Sequence, residues 1–194
     1  GMLKQFGPNH TTTATMVNNV GVMEDDLGNY AAAEKRFAEA AAVLRAQPGP
    51  PPLLFYPLMG LHRASLFRGD LTQAKALAEE ALTVARKTGG ERNRNAAAGA
   101  MALAVAQAAL KDATALATAR NALALGREVF PAGHIEVSRL LAGYARVLLA
   151  NRQWAEAEKA LTEALTIARQ RYPGPNWRTA EVASLTGLAF AGQG

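Results

Sequence analysis

The chain has 194 residues, enough for one sizeable domain or a short repeat array. Hydrophobic residues make up 49%, mostly Ala and Leu, and aromatics only 6%, a helical composition with small side chains in the core. Cysteine is absent, which excludes disulfides and thiolate metal sites, and the net charge of +5 lies on basic residues interleaved with Glu, as in Glu156 to Lys159, without the continuous stripe that nucleic acid needs.

No apolar run approaches the roughly 20 residues that span a bilayer. Ala96 to Leu110 is the longest weakly polar stretch, and it is alanine-dominated and too short. Lys4 to His10 contains no apolar segment of a secretion signal. Gly1 ahead of Met2 is set aside as a tag-cleavage scar. The composition reads as a cytoplasmic chain, with no cofactor, no metal, no nucleic acid and no membrane among its expected partners.

The chain repeats itself. Ala33-Glu34-Lys35-Arg36-Phe37-Ala38-Glu39-Ala40 recurs from Ala74, from Ala115 and from Ala157, at spacings of 41, 41 and 42 residues. A fixed period of this size marks stacked helical pairs and an extended binding surface. Repeat one spans about 10–51. Its helix A runs from Thr12 to Leu27, Gly28-Asn29 makes the turn, and helix B runs from Tyr30 to Ala46. Ala33, Phe37, Ala40 and Leu44 form one helical stripe. Pro48-Gly49-Pro50-Pro51-Pro52 then forbids helix and predicts an extended link.

Repeat two, 52–92, has helix A over Leu53 to Phe67, the turn Gly69-Asp70, and helix B over Leu71 to Lys87. Repeat three, 93–133, has helix A over Asn95 to Leu110 and helix B over Ala113 to Val129; its turn, Lys111-Asp112, lacks glycine. Repeat four, 134–175, has helix A over Ile135 to Ala150 and helix B over Trp154 to Arg171. A partial fifth repeat, 176–194, holds one helix over Thr179 to Ala191. The loops repeat as well: Phe6-Gly7-Pro8-Asn9-His10 returns as Phe130-Pro131-Ala132-Gly133-His134, 124 residues on, and then as Tyr172 to Trp177.

These residues resemble the tetratricopeptide repeat (TPR) family, in its roughly 42-residue form found in kinesin light chains and many bacterial signalling proteins. Val17-Asn18-Asn19-Val20-Gly21, Gly28-Asn29-Tyr30, Ala33-Glu34, Phe37 and Ala40 carry the likeness in repeat one. Ala145, Trp154 to Glu158 and Ala164-Leu165 carry it in repeat four. The resemblance implies an all-α, right-handed α-α superhelix (solenoid) of about four helix pairs plus a terminal helix, forming a single repeat domain over 1–194. It implies a non-catalytic scaffold for protein or peptide binding, the interaction part of a larger bacterial regulatory or signalling protein. Ala33, Ala74, Ala115 and Ala157 sit where helices A and B cross closely.

In the family, helix A lines the concave face. Carried over, the groove positions are Thr15, Asn18, Val22 and Asp25; Tyr56, Met59, Arg63 and Leu66; Ala98, Met101, Val105 and Ala108; and Arg139, Ala142, Arg146 and Leu149. The peptide-binding set is Asn18, Asp25, Tyr56, Met59, Arg63, Met101, Arg139 and Arg146. In similar proteins a helix A asparagine such as Asn18 holds a peptide backbone through its amide, which both donates and accepts. Arg63, Arg139 and Arg146 are placed to pair with an acidic partner or a terminal carboxylate. Met59, Met101 and Tyr56 offer an adaptable apolar surface.

His10 and His134 occupy equivalent loops three repeats apart, which reads as loop stabilisation. The acidic run Glu24-Asp25-Asp26 lacks metal-ligand spacing and reads as a solvated helix end. A rival reading, an enzyme or small-molecule sensor, needs convergent polar groups near Arg63, Met101 and Arg146, and their chemistry supplies no acid–base pair. Gly192-Gln193-Gly194 falls where helix A turns into helix B in the family. That predicts either a piece of a longer protein or a natural cap. Val182, Leu185, Leu188 and Phe190 leave little polar surface, which favours the former, and an apolar end can also make a homodimer through the terminal helix.

Overall fold

The computed structural model describes residues 7–49, 51–174 and 176–192, with only the backbone of Trp177 and Arg178. Phe6, Pro50, Pro175, Gln193 and Gly194, used in the loop and terminus readings, lie outside the described residues. The described residues form nine α-helices and one short 3₁₀ turn. In chain order these are α1 (Thr11–Asp26), α2 (Tyr30–Arg45), the 3₁₀ turn Pro52–Leu54, α3 (Phe55–Arg68), α4 (Leu71–Gly89), α5 (Arg94–Ala109), α6 (Ala115–Val129), α7 (Ile135–Ala150), α8 (Trp154–Arg171) and α9 (Trp177–Ala191). Consecutive pairs pack as antiparallel hairpins. The helices cluster into two compact units, residues 1–91 and 92–194, each holding two of the expected hairpins. The boundary falls within a residue of the predicted edge of repeat two.

The hairpins share one turn. At the end of α1, Asn29 N–H donates to Glu24 O at 2.8 Å and Gly28 N–H to Asp25 O at 3.0 Å, the doubled bond of a Schellman cap. The same two bonds recur at Asp70 and Gly69, at Asp112 and Lys111, and at Gln153 and Arg152. The cap needs one residue in the left-handed region, filled by Gly28, Gly69, Lys111 (φ 59°) and Arg152 (φ 57°). In repeat three the left-handed residue is therefore Lys111, and α6 starts two residues later than expected, at Ala115. Asp112 accepts from both the N–H and the hydroxyl of Thr114, which holds this turn open for those residues. A side chain in the left-handed region is strained. Lys111→Gly and Arg152→Gly are each expected to stabilise the fold by about 0.5–1 kcal/mol; a lowered denaturant midpoint in both would contradict this.

Three starts of helix A share a side-chain cap. His10 Nδ1 accepts from Thr12 N–H at 3.1 Å, His134 Nδ1 from Glu136 N–H at 3.2 Å, and Asn93 Oδ1 from Ala96 N–H at 2.9 Å. The loop histidines are thus helix caps. Phe130 stacks on His134 with centroids 4.9 Å apart, and the Arg94 guanidinium lies over the Phe130 ring. The proline link departs from a purely extended form. Pro52 opens the 3₁₀ turn because its fixed φ suits the first position of a helix.

Unit 1 is built around Phe37, only 3% exposed. Its ring fits against the backbone of Gly21 on α1 and of Gly60 on α3, where any Cβ would collide with it. The core of unit 2 runs from Met101 and Ala104 through Leu141, Val147 and Leu148 to Leu161 and Leu185. The four register alanines, Ala33, Ala74, Ala115 and Ala157, are all buried to 2% or less. On the helix B side, Arg45 bridges to Glu80 and Arg127 to Glu163, each tying one hairpin to the next within its unit. Glu80 and Glu163 hold the same register in their repeats. Asn121 stands at that position in repeat three, and Arg86 pairs with Glu91 instead.

Candidate functional site

The sharpest surface of helix A residues lies in unit 1, between α1 and α3. Asn18, Val22 and Asp25 share one face of α1 by their i, i+4, i+7 spacing, and Tyr56, Met59 and Arg63 share one face of α3. Asp25 and Arg63 form an ion pair that joins the two helices. Two turns earlier on each helix stand Asn18 and Tyr56. Val22 and Tyr56 are 43% and 51% exposed, Met59 is half-buried, and Tyr56 makes an edge contact with Phe55. Asn18 is buried, and its Oδ1 has no hydrogen-bond partner among the described residues. Its Nδ2 lies 3.5 Å from Asn19 Oδ1, at the outer limit of a hydrogen bond. An enclosed acceptor left unmatched costs roughly 1–3 kcal/mol.

In unit 2 the outcome differs. Met101 is 4% exposed and packs over Gly143 of α7. It is a core residue and leaves the candidate surface, because Gly143 lets the two helices approach until the thioether is enclosed. Arg139 pairs with Glu136 at 2.8 Å, and Arg146 with Glu181 of α9 at 2.7 Å. All three arginines expected to await an acidic partner therefore already face a carboxylate of this chain. The Arg63 and Arg146 pairs join helix to helix within their units, and the Arg139 pair lies along α7 itself.

The search by residue type missed Gln107. It is buried on α5, at the register of Glu24, Ser65 and Leu148, and its Oε1 has no partner among the described residues. The signal was a glutamine inside an otherwise alanine-rich helix. It also passed over His62, which is buried with Nδ1 2.9 Å from Ala74 O. Only an Nδ1–H can donate there, so Nδ1 carries a proton in the folded chain. Burial pushes the His62 pKa below the ordinary histidine value, and the bond to Ala74 opposes this in part. The unfolded chain then binds a proton near pH 6.5 that the folded chain refuses, so this contribution to stability is present above that pH and is lost as the pH falls below it. His62→Gln keeps a donor for Ala74 and cannot titrate. The melting temperature of that variant is expected to fall less steeply between pH 7 and pH 5 than that of the parent; parallel curves would rule the assignment out.

Among the described residues, no group of three or more His, Asp or Glu could hold a metal ion, and no helix is long and apolar enough to cross a membrane. A concavity of about 480 Å³ in unit 1 lies on the helix B side around the Arg45–Glu80 pair and Lys87, away from the α1–α3 face.

Antiparallel hairpins repeating one cap and one close-packed alanine define a helical-repeat protein. Residues 13–46 match the tetratricopeptide repeat. BtubC (BKLC) from P. vanneervenii has a similar fold, with a TM-score of 0.68 at 16% identity over 94% of this chain and 74% of that one. The TPR-like repeats of a Podosopora anserina kinesin light chain superpose with a TM-score of 0.65 at 17% identity, over 95% of this chain and 88% of that one. No curated protein matches in sequence. One repeat of the chain thus matches the tetratricopeptide repeat, and its all-α fold is similar to that of kinesin-light-chain TPR-like repeats. Repeats of this family are in general non-catalytic scaffolds for protein interaction.

Proposed function

We propose that the chain binds an extended peptide segment of a partner protein on the α1–α3 face of unit 1, as the interaction part of a larger cytoplasmic regulatory or signalling protein of bacterial type. The observation that carries this reading is Asn18, a buried side-chain amide with an unmatched carbonyl at the groove register of helix A. Rotation of that amide would offer the carbonyl to a peptide N–H, and Val22, Tyr56 and Met59 supply the apolar walls. The Asp25–Arg63 pair bounds the face on one side and leaves it without net charge. An acidic ligand would have to displace a carboxylate from its arginine, so recognition rests on main chain and apolar side chains more than on charge.

The test is a random-peptide display selection on the folded protein, counter-screened with Asn18→Leu and Tyr56→Ala. Leu replaces the unmatched amide with an apolar group of similar size, so Asn18→Leu is expected to melt at the same or a higher temperature. Peptides enriched on the parent are expected to lose at least tenfold in affinity on Asn18→Leu. Binders that keep their affinity on both variants would place the site elsewhere.

A further inference from the structure

Beyond the peptide face, unit 1 carries a second surface, at the edge where helix A turns into helix B. Leu27 at the α1–α2 turn, Tyr30 at the start of α2 and Phe67 at the end of α3 are exposed to 74%, 58% and 73%. The rings of Tyr30 and Phe67 meet with centroids 5.7 Å apart, which joins the two hairpins of the unit into one apolar patch. The positions equivalent to Leu27 in the other repeats, Arg68, Leu110 and Asn151, are exposed as well, and so are Asp26, Ala109 and Ala150, equivalent to Phe67. This edge is thus open in the middle hairpins as in the outer ones. The three side chains expose on the order of 400 Å², within the range of the largest apolar patch on a soluble monomer.

The patch has an acidic rim. Residues 24–34 and 63–70 carry five carboxylates against two guanidinium groups, on a chain whose net charge is +5. The corresponding residues of unit 2, 107–116 and 146–153, carry one carboxylate against three basic groups. In unit 1 the two arginines are taken up by Asp25 and Glu34, as the pairs Arg63–Asp25 and Arg68–Glu34. Glu24 stands three residues before Leu27, and Asp70 three after Phe67. Asn29 Nδ2 donates to Glu24 at 2.7 Å and Gln73 N–H donates to Asp70 at 3.1 Å; these donors are neutral and leave the carboxylate charge in place.

We propose that this edge docks a basic amphipathic helix of a partner protein, with apolar side chains seated on Leu27, Tyr30 and Phe67 and Lys or Arg residues facing Glu24 and Asp70. The backbone decides between a helix and an extended segment. The N–H groups of Gly28, Asn29, Gly69 and Asp70 are all spent in the Schellman caps, so the edge offers no main-chain donors to an extended peptide. A helix satisfies its own backbone and needs only side-chain contacts, apolar at i, i+3, i+4 and i+7. The caps also hold the turns in place, so the patch is formed before a partner arrives. A cation on the ring pair would repeat the contact that Arg94 makes over Phe130 within unit 2. The charge of the rim sets the sign of the partner, since an acidic helix would meet repulsion there.

The probe is a fluorescent peptide of about 18 residues, built of Leu and Lys with the leucines at helical spacing. Fluorescence anisotropy with the whole chain should give a Kd of about 1–100 μM. A scrambled peptide of the same composition should bind about tenfold more weakly, and a Leu–Glu counterpart weaker still. Leu27→Ser/Phe67→Ser should lose about tenfold, and both sites are exposed, so the fold should be kept. Glu24→Gln/Asp70→Asn keeps both hydrogen bonds; it should lose about threefold and flatten the dependence on salt. Asn18→Leu should bind as the parent does, which separates this edge from the α1–α3 face. Absence of binding by the Leu–Lys peptide overturns the proposal. So does equal binding of the scrambled or acidic peptide, or an affinity that falls with Asn18→Leu and survives Leu27→Ser/Phe67→Ser.

Discussion

Phe37→Ala is expected to lower the unfolding free energy by about 3–5 kcal/mol, the largest single effect in unit 1. The ring is 3% exposed and lies against two helices that carry glycine at the contact, Gly21 and Gly60. Truncation leaves a cavity lined by bare backbone. Neither glycine has a side chain that could swing in to fill it, and α1 and α3 are held by the Asp25–Arg63 pair. The cavity should therefore stay open, and the cost should sit at the high end for a large-to-small change. Gly60→Ala tests the same packing from the other side. A Cβ there would fall 2.5 Å from the Phe37 ring, and a stiff ring cannot yield as a flexible chain does. It should cost about 1–3 kcal/mol alone and much less in the Phe37→Ala background, where the space is free. Urea denaturation of the two variants and the double variant measures this; strict additivity would mean that the ring and the glycine do not share the contact.

Ala157→Leu should destabilise unit 2 by about 1–3 kcal/mol through overpacking. Ala157 is fully buried in the first turn of α8, within the core shared with α7. Ala145 on α7 is also fully buried in the same core, and a core closed around small side chains has no slack for an isobutyl group. The alternatives are a shift of α8 away from α7 or an off-rotamer side chain, and both lose close contacts along the hairpin. An unchanged denaturant midpoint would show that Ala157 is not at the crossing. Ala155→Leu, one residue outside the buried stripe, is the matched control and should be nearly neutral.

Much of the fold was legible because helix-hairpin repeats are local. The stripe from Ala33 to Leu44, the glycines at 28 and 69, and the period of the register alanines each report on residues a few turns apart. The predicted α7 and α8 agree with the structure at both ends, and α1, α2 and α5 to within a residue or so. Departures came where local signals were weak or ambiguous. Lys111 supplies a left-handed cap without glycine, since the Schellman bonds to Ala108 O and Gln107 O outweigh the strain of a side chain there. Pro52 starts a 3₁₀ turn instead of prolonging the link.

The candidate site was less legible. Register alone placed Asn18, Tyr56, Met59 and Met101 on the same groove face, yet Met101 is enclosed while Tyr56 is half exposed. The difference lies in the neighbour: Gly143 lets α7 close over Met101, and no sequence period announces that. The arginines at 63, 139 and 146 were recognisable as charges on helix A. Glu136 lies three residues before Arg139 on the same helix, within local reach, but Asp25 and Glu181 were not legible as partners, because an ion pair across 38 or 35 residues depends on where two helices lie in space.

The sequence by itself determined the repeat and the hairpin, since these follow from periodicity, turn chemistry and side-chain size, which act over one or two helical turns. Only the tertiary structure decided which helix A positions stay open and which charges are already matched. Those properties depend on what the neighbouring helix brings to the same point in space.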